Sequence, residues 1–84
     1  MSIRDNMLDL IKEISGMKTV NIEDNLQTDL GLDSMQLVIL LIQMEERLHI
    51  EFNETDMNPF DLVTAGDVVL LAERYCGDDY EKEN

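Results

Sequence analysis

The chain has 84 residues, 44% of them hydrophobic but only 5% aromatic and none of them Trp, which bounds it to one domain with a small aliphatic core of Leu, Ile, Val and Met. Nineteen acids against six bases give a net charge of −13, which argues against nucleic acid and anionic membrane surfaces as partners and favours proteins with basic docking patches. With one cysteine, Cys76, no signal-peptide core and no apolar run near the roughly 18 residues of a membrane span, neither an internal disulfide nor a transmembrane helix is expected, and the cytoplasm is the expected location.

In chain order, apolar residues first recur at Ile3, Met7, Leu10, Ile11 and Ile14, the spacing of one helix face. Ser2 is a suitable N-cap, Asp5 a first-turn acid and Gly16 a stop. From Met17 to Asp33 no period is sustained, and Asn21, Asn25, Thr28 and Gly31 punctuate the stretch. Val20, Ile22, Leu26, Leu30 and Leu32 within it predict a long loop pinned to the core.

A second helix is expected over Ser34 to His49, capped by Asp33 and free of Gly and Pro. At about 100° per residue from Ser34, Leu37, Leu40, Leu41, Met44 and Leu48 cluster near 300°, while Met35, Val38, Ile39 and Ile42 cluster near 90°. The Leu-rich stripe is the better core candidate. The other is then a partly exposed strip that starts beside Ser34 and ends beside Glu45 and Glu46, as an interaction site does. If the helix were central, both stripes would be buried.

Ile50-Glu51-Phe52 reads as briefly extended, and Pro59 limits Thr55 to Leu62 to a short helical turn. Thr64-Ala65-Gly66-Asp67 is a capping-box variant, and Val68, Leu71, Ala72 and Tyr75 continue it as the last helix. Residues 1–76 thus make the domain, and 77–84 an acidic tail expected to be disordered. Three main helices plus one short one, with no clear strand pattern, predict an all-α four-helix bundle.

Ser34 is the residue with chemical potential, although Ser and Asp are also ordinary helix starters. As a nucleophile it would need an adjacent base. The only histidine, His49, lies at the other end of the same helix, roughly 22 Å away at 1.5 Å rise per residue. No G-x-S-x-G elbow is present. An enzyme is therefore not expected. Being modified asks less: an accessible hydroxyl at the positive end of a helix, where an anion is tolerated. His49 and Cys76 are isolated, and Asp78-Asp79-Tyr80-Glu81 lacks calcium-loop spacing, so no metal site is expected. Cys76 is expected to be half-buried, and the six methionines to be mostly helix fillers, with Met35 the best candidate for a docking surface.

The stretch Asp29-Leu30-Gly31-Leu32-Asp33-Ser34-Met35 resembles the D-x-G-x-D-S-[LM] attachment motif of the acyl and peptidyl carrier proteins. The likeness runs from Ile3 to Tyr75: Leu26 and Leu30 in the loop, Glu45-Glu46 downstream of the serine, Ile50-Glu51, and Thr64-Ala65-Gly66-Asp67 opening the last helix. The resemblance implies a monomeric, non-catalytic carrier whose Ser34 receives a covalent 4'-phosphopantetheine from coenzyme A. A phosphopantetheinyl transferase does this, the Ser34 oxygen attacking the β-phosphate. An acyl- or amino-acid-activating ligase or adenylation enzyme then loads the arm as a thioester, and a downstream synthase or transferase takes the cargo. In this likeness Asp33 is the motif acid, Met35 the docking hydrophobe, and Val38 and Ile42 partner-facing positions. Gln36 and Ile39 stand where fatty-acid carriers commonly have acids. Asp-Ser-Met-Gln-Leu looks closer to stand-alone carriers of secondary metabolism, of polyketide or nonribosomal peptide type, or of amino-acid transfer, D-alanyl carriers included. Large synthetases prefer a second Gly where Leu32 stands. The rival reading is a small acidic helical adaptor that binds a protein through the second helix and carries no arm.

Overall fold

The structure, a computed structural model, describes residues 2–76. The expected acidic tail, 77–84, lies outside the described residues. Helix α1 spans Ile3–Ser15; Ser2 Oγ accepts the Asp5 N–H at 3.1 Å, and Gly16, at φ +78°, closes it by donating to the Lys12 carbonyl. Its apolar stripe is the predicted one: Ile3, Met7, Leu10 and Ile11 are fully buried and Ile14 packs at the edge.

Helix α2, Ser34–Leu48, ends one residue before the predicted boundary because His49 turns left-handed (φ +57°) as its C-cap. Helix α3, Ala65–Tyr75, starts on the predicted box: Thr64 Oγ1 accepts the Asp67 N–H, and Asp67 Oδ2 accepts the Thr64 N–H. Arg47 ties α2 to α1, its guanidinium donating to Glu13 Oε2 at 3.0 Å and to Asn6 Oδ1 at 3.4 Å.

The short fourth element takes the form of two 3₁₀ turns, Glu54–Asp56 and Pro59–Asp61. Pro59 at the first position of the second turn cannot donate to a longer helix, and Asn58 Oδ1 caps the turn by accepting the Phe60 N–H. Among the described residues there is no strand, only an isolated antiparallel bridge between Asn25 and Thr64. Ile50-Glu51-Phe52 forms no strand; the Phe52 N–H is taken by the Glu45 carboxylate at 2.8 Å.

The loop from 17 to 33 is pinned as expected by Val20, Leu26, Leu30 and Leu32, all buried. Ile22 is a correction: its side chain is exposed, and it holds the loop through its backbone instead. Its carbonyl accepts the Gly66 N–H at 2.8 Å, and a Cβ on Gly66 would sit 3.1 Å from that oxygen. The Leu26 N–H to Val63 carbonyl and Ala65 N–H to Asp24 carbonyl bonds complete the seam between the loop and the start of α3. The helical methionines divide as expected, Met7 and Met44 in the core and Met35 exposed, while Met17, in the loop, is also exposed. Cys76 is half-buried, as expected, and burial pushes its thiol pKa up.

Candidate functional site

The residues before Ser34 aim the chain at the start of α2. Asn25 Oδ1 accepts the N–H groups of Gln27 and Thr28, both at 2.9 Å, and Asp29 Oδ2 accepts the Asn25 N–H at 2.8 Å. Gly31 then turns with φ +75°, a conformation that disfavours any side chain, and the Leu32 N–H returns to the Leu26 carbonyl. The motif acid Asp29 and motif glycine Gly31 therefore both shape the loop that delivers Ser34.

Asp33 is the N-cap of α2. Its Oδ1 accepts the Gln36 N–H at 2.8 Å, and Gln36 Oε1 accepts the Asp33 N–H at 3.1 Å. This reciprocal capping box locks the first turn, and Gln36 is its second half. Sequence reading identified Asp33 as a cap but missed Gln36, although D-x-x-Q spacing carries the signal. Ser34 is the first helical residue, its side chain exposed, with no acid in the first turn.

The two stripes of α2 separate as expected. Leu37, Leu40, Leu41, Met44 and Leu48 are buried, none more than 6% exposed. Met35 is 72% exposed, and Val38, Ile39 and Ile42 are each about 40% exposed. The reading in which α2 is buried all round is excluded by these exposures. At the far end, Glu46 faces solvent, whereas Glu45 is half-buried and bonded to the Phe52 N–H. His49 caps the end of α2 opposite Ser34.

One flank of the site comes from outside α2. Ser34, Met35 and Val38 face Pro59 and Phe60 across an open groove of about 400 Å³, and Phe60 is 70% exposed. Sequence reading did not single out either residue. Pro59 was read only as a limit on helix length, and no local period relates residue 60 to residue 34.

A sequence profile described as a phosphopantetheine attachment site matches residues 5–71. The chain is also 32% identical over 79 residues to an acyl carrier protein of Chlamydia caviae, covering 92% of this chain and all of that one. The chain belongs to the acyl carrier protein family. The carrier does no bond chemistry of its own, and the cofactor is a covalently attached 4'-phosphopantetheine. Family membership brings phosphopantetheinyl transferases, and the ligases or synthases that use carriers, as the general classes of partner. No helix among the described residues is long and apolar enough to cross a membrane.

Proposed function

We propose that Ser34 carries the 4'-phosphopantetheine arm and that the protein, as a monomer of the cytoplasm, tethers acyl or aminoacyl groups on it as thioesters. The arm's thiol supplies the thioester chemistry. The chain's own residues supply the rest. Asp33 and Gln36 fix the first turn of α2, so the Ser34 oxygen is held at the positive end of a 15-residue helix, where a phosphodiester is favoured. The exposure of Ser34, beside an apolar groove and at the end of a pinned loop, carries the reading.

The pathway that fits best is secondary metabolism, of polyketide or nonribosomal peptide type, or amino-acid transfer, with an amino-acid- or acyl-activating enzyme loading the arm. Gln36 supports this. It faces its own cap instead of offering a carboxylate to a partner, and Ile39 adds an exposed apolar group where an acid would make the face ionic. Partners meet the protein along α2 through Met35, Val38, Ile39 and Ile42, with Glu46 at the end of the strip and Glu45 bracing the segment behind it.

The test is intact-protein mass after incubation with coenzyme A, magnesium and a broad-specificity phosphopantetheinyl transferase. One phosphopantetheine mass is expected on wild type and none on Ser34→Ala, with the same helical circular dichroism in both. An unmodified wild type would favour the adaptor. Addition to Ser34→Ala would move the site.

A further inference from the structure

Leu70 departs from the pattern of α3. Its neighbours Val68, Val69, Leu71 and Ala72 are buried, whereas Leu70 is 61% exposed. A single exposed leucine is ordinary, but this one stands on a ridge between two open grooves. On one side a groove of about 390 Å³ runs between α3 and the 3₁₀ turns, with buried Leu62 and Leu71 in its wall. On the other a groove of about 300 Å³ runs between α3, the loop and the start of α1, lined by Val69, Gly66 and the exposed Ile22. Neither groove includes Ser34 or any residue of α2. The turn Pro59–Asp61 divides the surfaces: Pro59 and Phe60 line the Ser34 groove, and Asp61 lines the first α3 groove.

Charge on this face selects what covers it. The first groove holds three carboxylates and one guanidinium. Arg74 is paired with Asp56 at 2.9 Å, and Asp56 also accepts the Tyr75 hydroxyl. Asp67 Oδ2 accepts the Val63 and Thr64 N–H groups, which are neutral donors, and neither Asp61 nor Asp67 has an ion-pair partner among the described residues. Two uncompensated negative charges therefore sit beside an apolar ridge. The second groove adds Arg4 and Glu73, whose charges offset. We propose that this face of α3 is a second docking surface, which seats an amphipathic helical segment of a partner protein. Aliphatic side chains of that segment straddle Leu70 and enter the two grooves, while its Lys or Arg side chains meet Asp61 and Asp67. An acidic segment would set like charges against the two carboxylates, and a purely basic one would leave Leu70 uncovered. A second copy of this chain does not fit, because it brings its own Asp61 and Asp67 and a further charge of −13. The α2 strip and Ser34 lie outside this surface, so a partner bound here holds the protein while another works at Ser34. The site itself stands whether or not Ser34 carries an arm.

The test uses the full, unmodified chain labelled with ¹⁵N and a synthetic helical peptide of about 18 residues, with Leu along one face and Lys on its flanks. Titration followed by amide chemical shifts is expected to saturate, with the largest changes at Ile22, Gly66, Asp67, Leu70 and Leu71 and none from Ser34 to Ile42. The same peptide with Glu in place of Lys should not bind. Leu70→Asp is expected to weaken binding about tenfold, and Asp61→Lys about threefold. Circular dichroism checks that each variant is folded, and Asp61→Lys, at an exposed position outside the helices, keeps the test open if Leu70→Asp is not. Shifts centred on Met35 to Ile42, shifts that spread without saturating, equal binding of the Glu peptide, wild-type affinity in a folded Leu70→Asp or in Asp61→Lys, or no binding at all would each overturn the second surface. None of these results touches the attachment site, which the mass of the transferase-treated protein reads separately.

Discussion

Asp33 stands at the junction of structure and chemistry, since a motif acid beside an attachment serine is also the cap that forms the turn bearing it. The two roles separate by substitution. Asn keeps the acceptor that the Gln36 N–H needs, whereas Ala removes it. Asp33→Asn is therefore expected to unfold in urea within about 0.5 kcal/mol of wild type, and Asp33→Ala to lose about 1 kcal/mol. Gln36→Ala should cost less than Asp33→Ala, because the Asp33 N–H it abandons belongs to an exposed residue that water can reach. Equal losses for Asn and Ala at position 33 would show that the charge, not the cap, stabilises the turn.

At the level of elements, the segment carrying Pro59 and Phe60 is held by a latch on the end of α3. The Tyr75 hydroxyl donates to Asp56 Oδ2 and accepts the Asn53 N–H, Arg74 pairs with Asp56 at 2.9 Å, and the Tyr75 ring meets Phe52 edge-on at 4.8 Å. The Tyr75 hydrogen bond, aided by Arg74 and opposed by partial burial, holds the Asp56 carboxyl below its ordinary pKa of 3.8. For Tyr75, the Asn53 N–H favours the phenolate, but the Asp56 hydrogen bond and burial outweigh it and raise the phenol above its ordinary 10.0. A lowered carboxylate pKa contributes stability above its unfolded value and loses it as pH falls through the folded one. Tyr75→Phe keeps the ring contact and drops the hydroxyl. Its unfolding midpoint should lie below that of wild type at pH 7, and the gap should narrow as pH drops below 3.8. A gap that stays constant into acid would mean that Asp56 is not the partner that matters. The same segment shows where sequence reading stops. Both long helices flanking the core, the caps Ser2 and Thr64, and the two stripes of α2 were legible because a 3.6-residue period and a short polar motif are local facts. Ile22 was misread because hydropathy does not distinguish a side chain that pins from a carbonyl that does. Phe60 was missed because its meaning depends on facing Ser34, a juxtaposition made by the latch at residues 53, 56, 74 and 75 and not by anything near residue 60.

Over the whole molecule, charge and burial act on different surfaces. The described residues extend 35 × 28 × 18 Å, and the two ion pairs among them, Arg47–Glu13 and Arg74–Asp56, engage only two of their five bases against 15 acids. Partly exposed pairs of this kind contribute little, so the dominant long-range electrostatic effect in the folded state is self-repulsion. The Debye length is about 10 Å at 0.1 M salt, shorter than most separations across a body this size, so added salt screens the repulsion more than it weakens the two contacts. Thermal stability should therefore rise with NaCl. A gain of about 1 kcal/mol between very low salt and roughly 0.3 M would raise the melting temperature by about 4–8 °C in a domain of this length. KCl should match NaCl, since screening depends on ionic strength and not on the cation. A melting temperature that falls on adding either salt would mean that attraction between the few bases and many acids outweighs the repulsion.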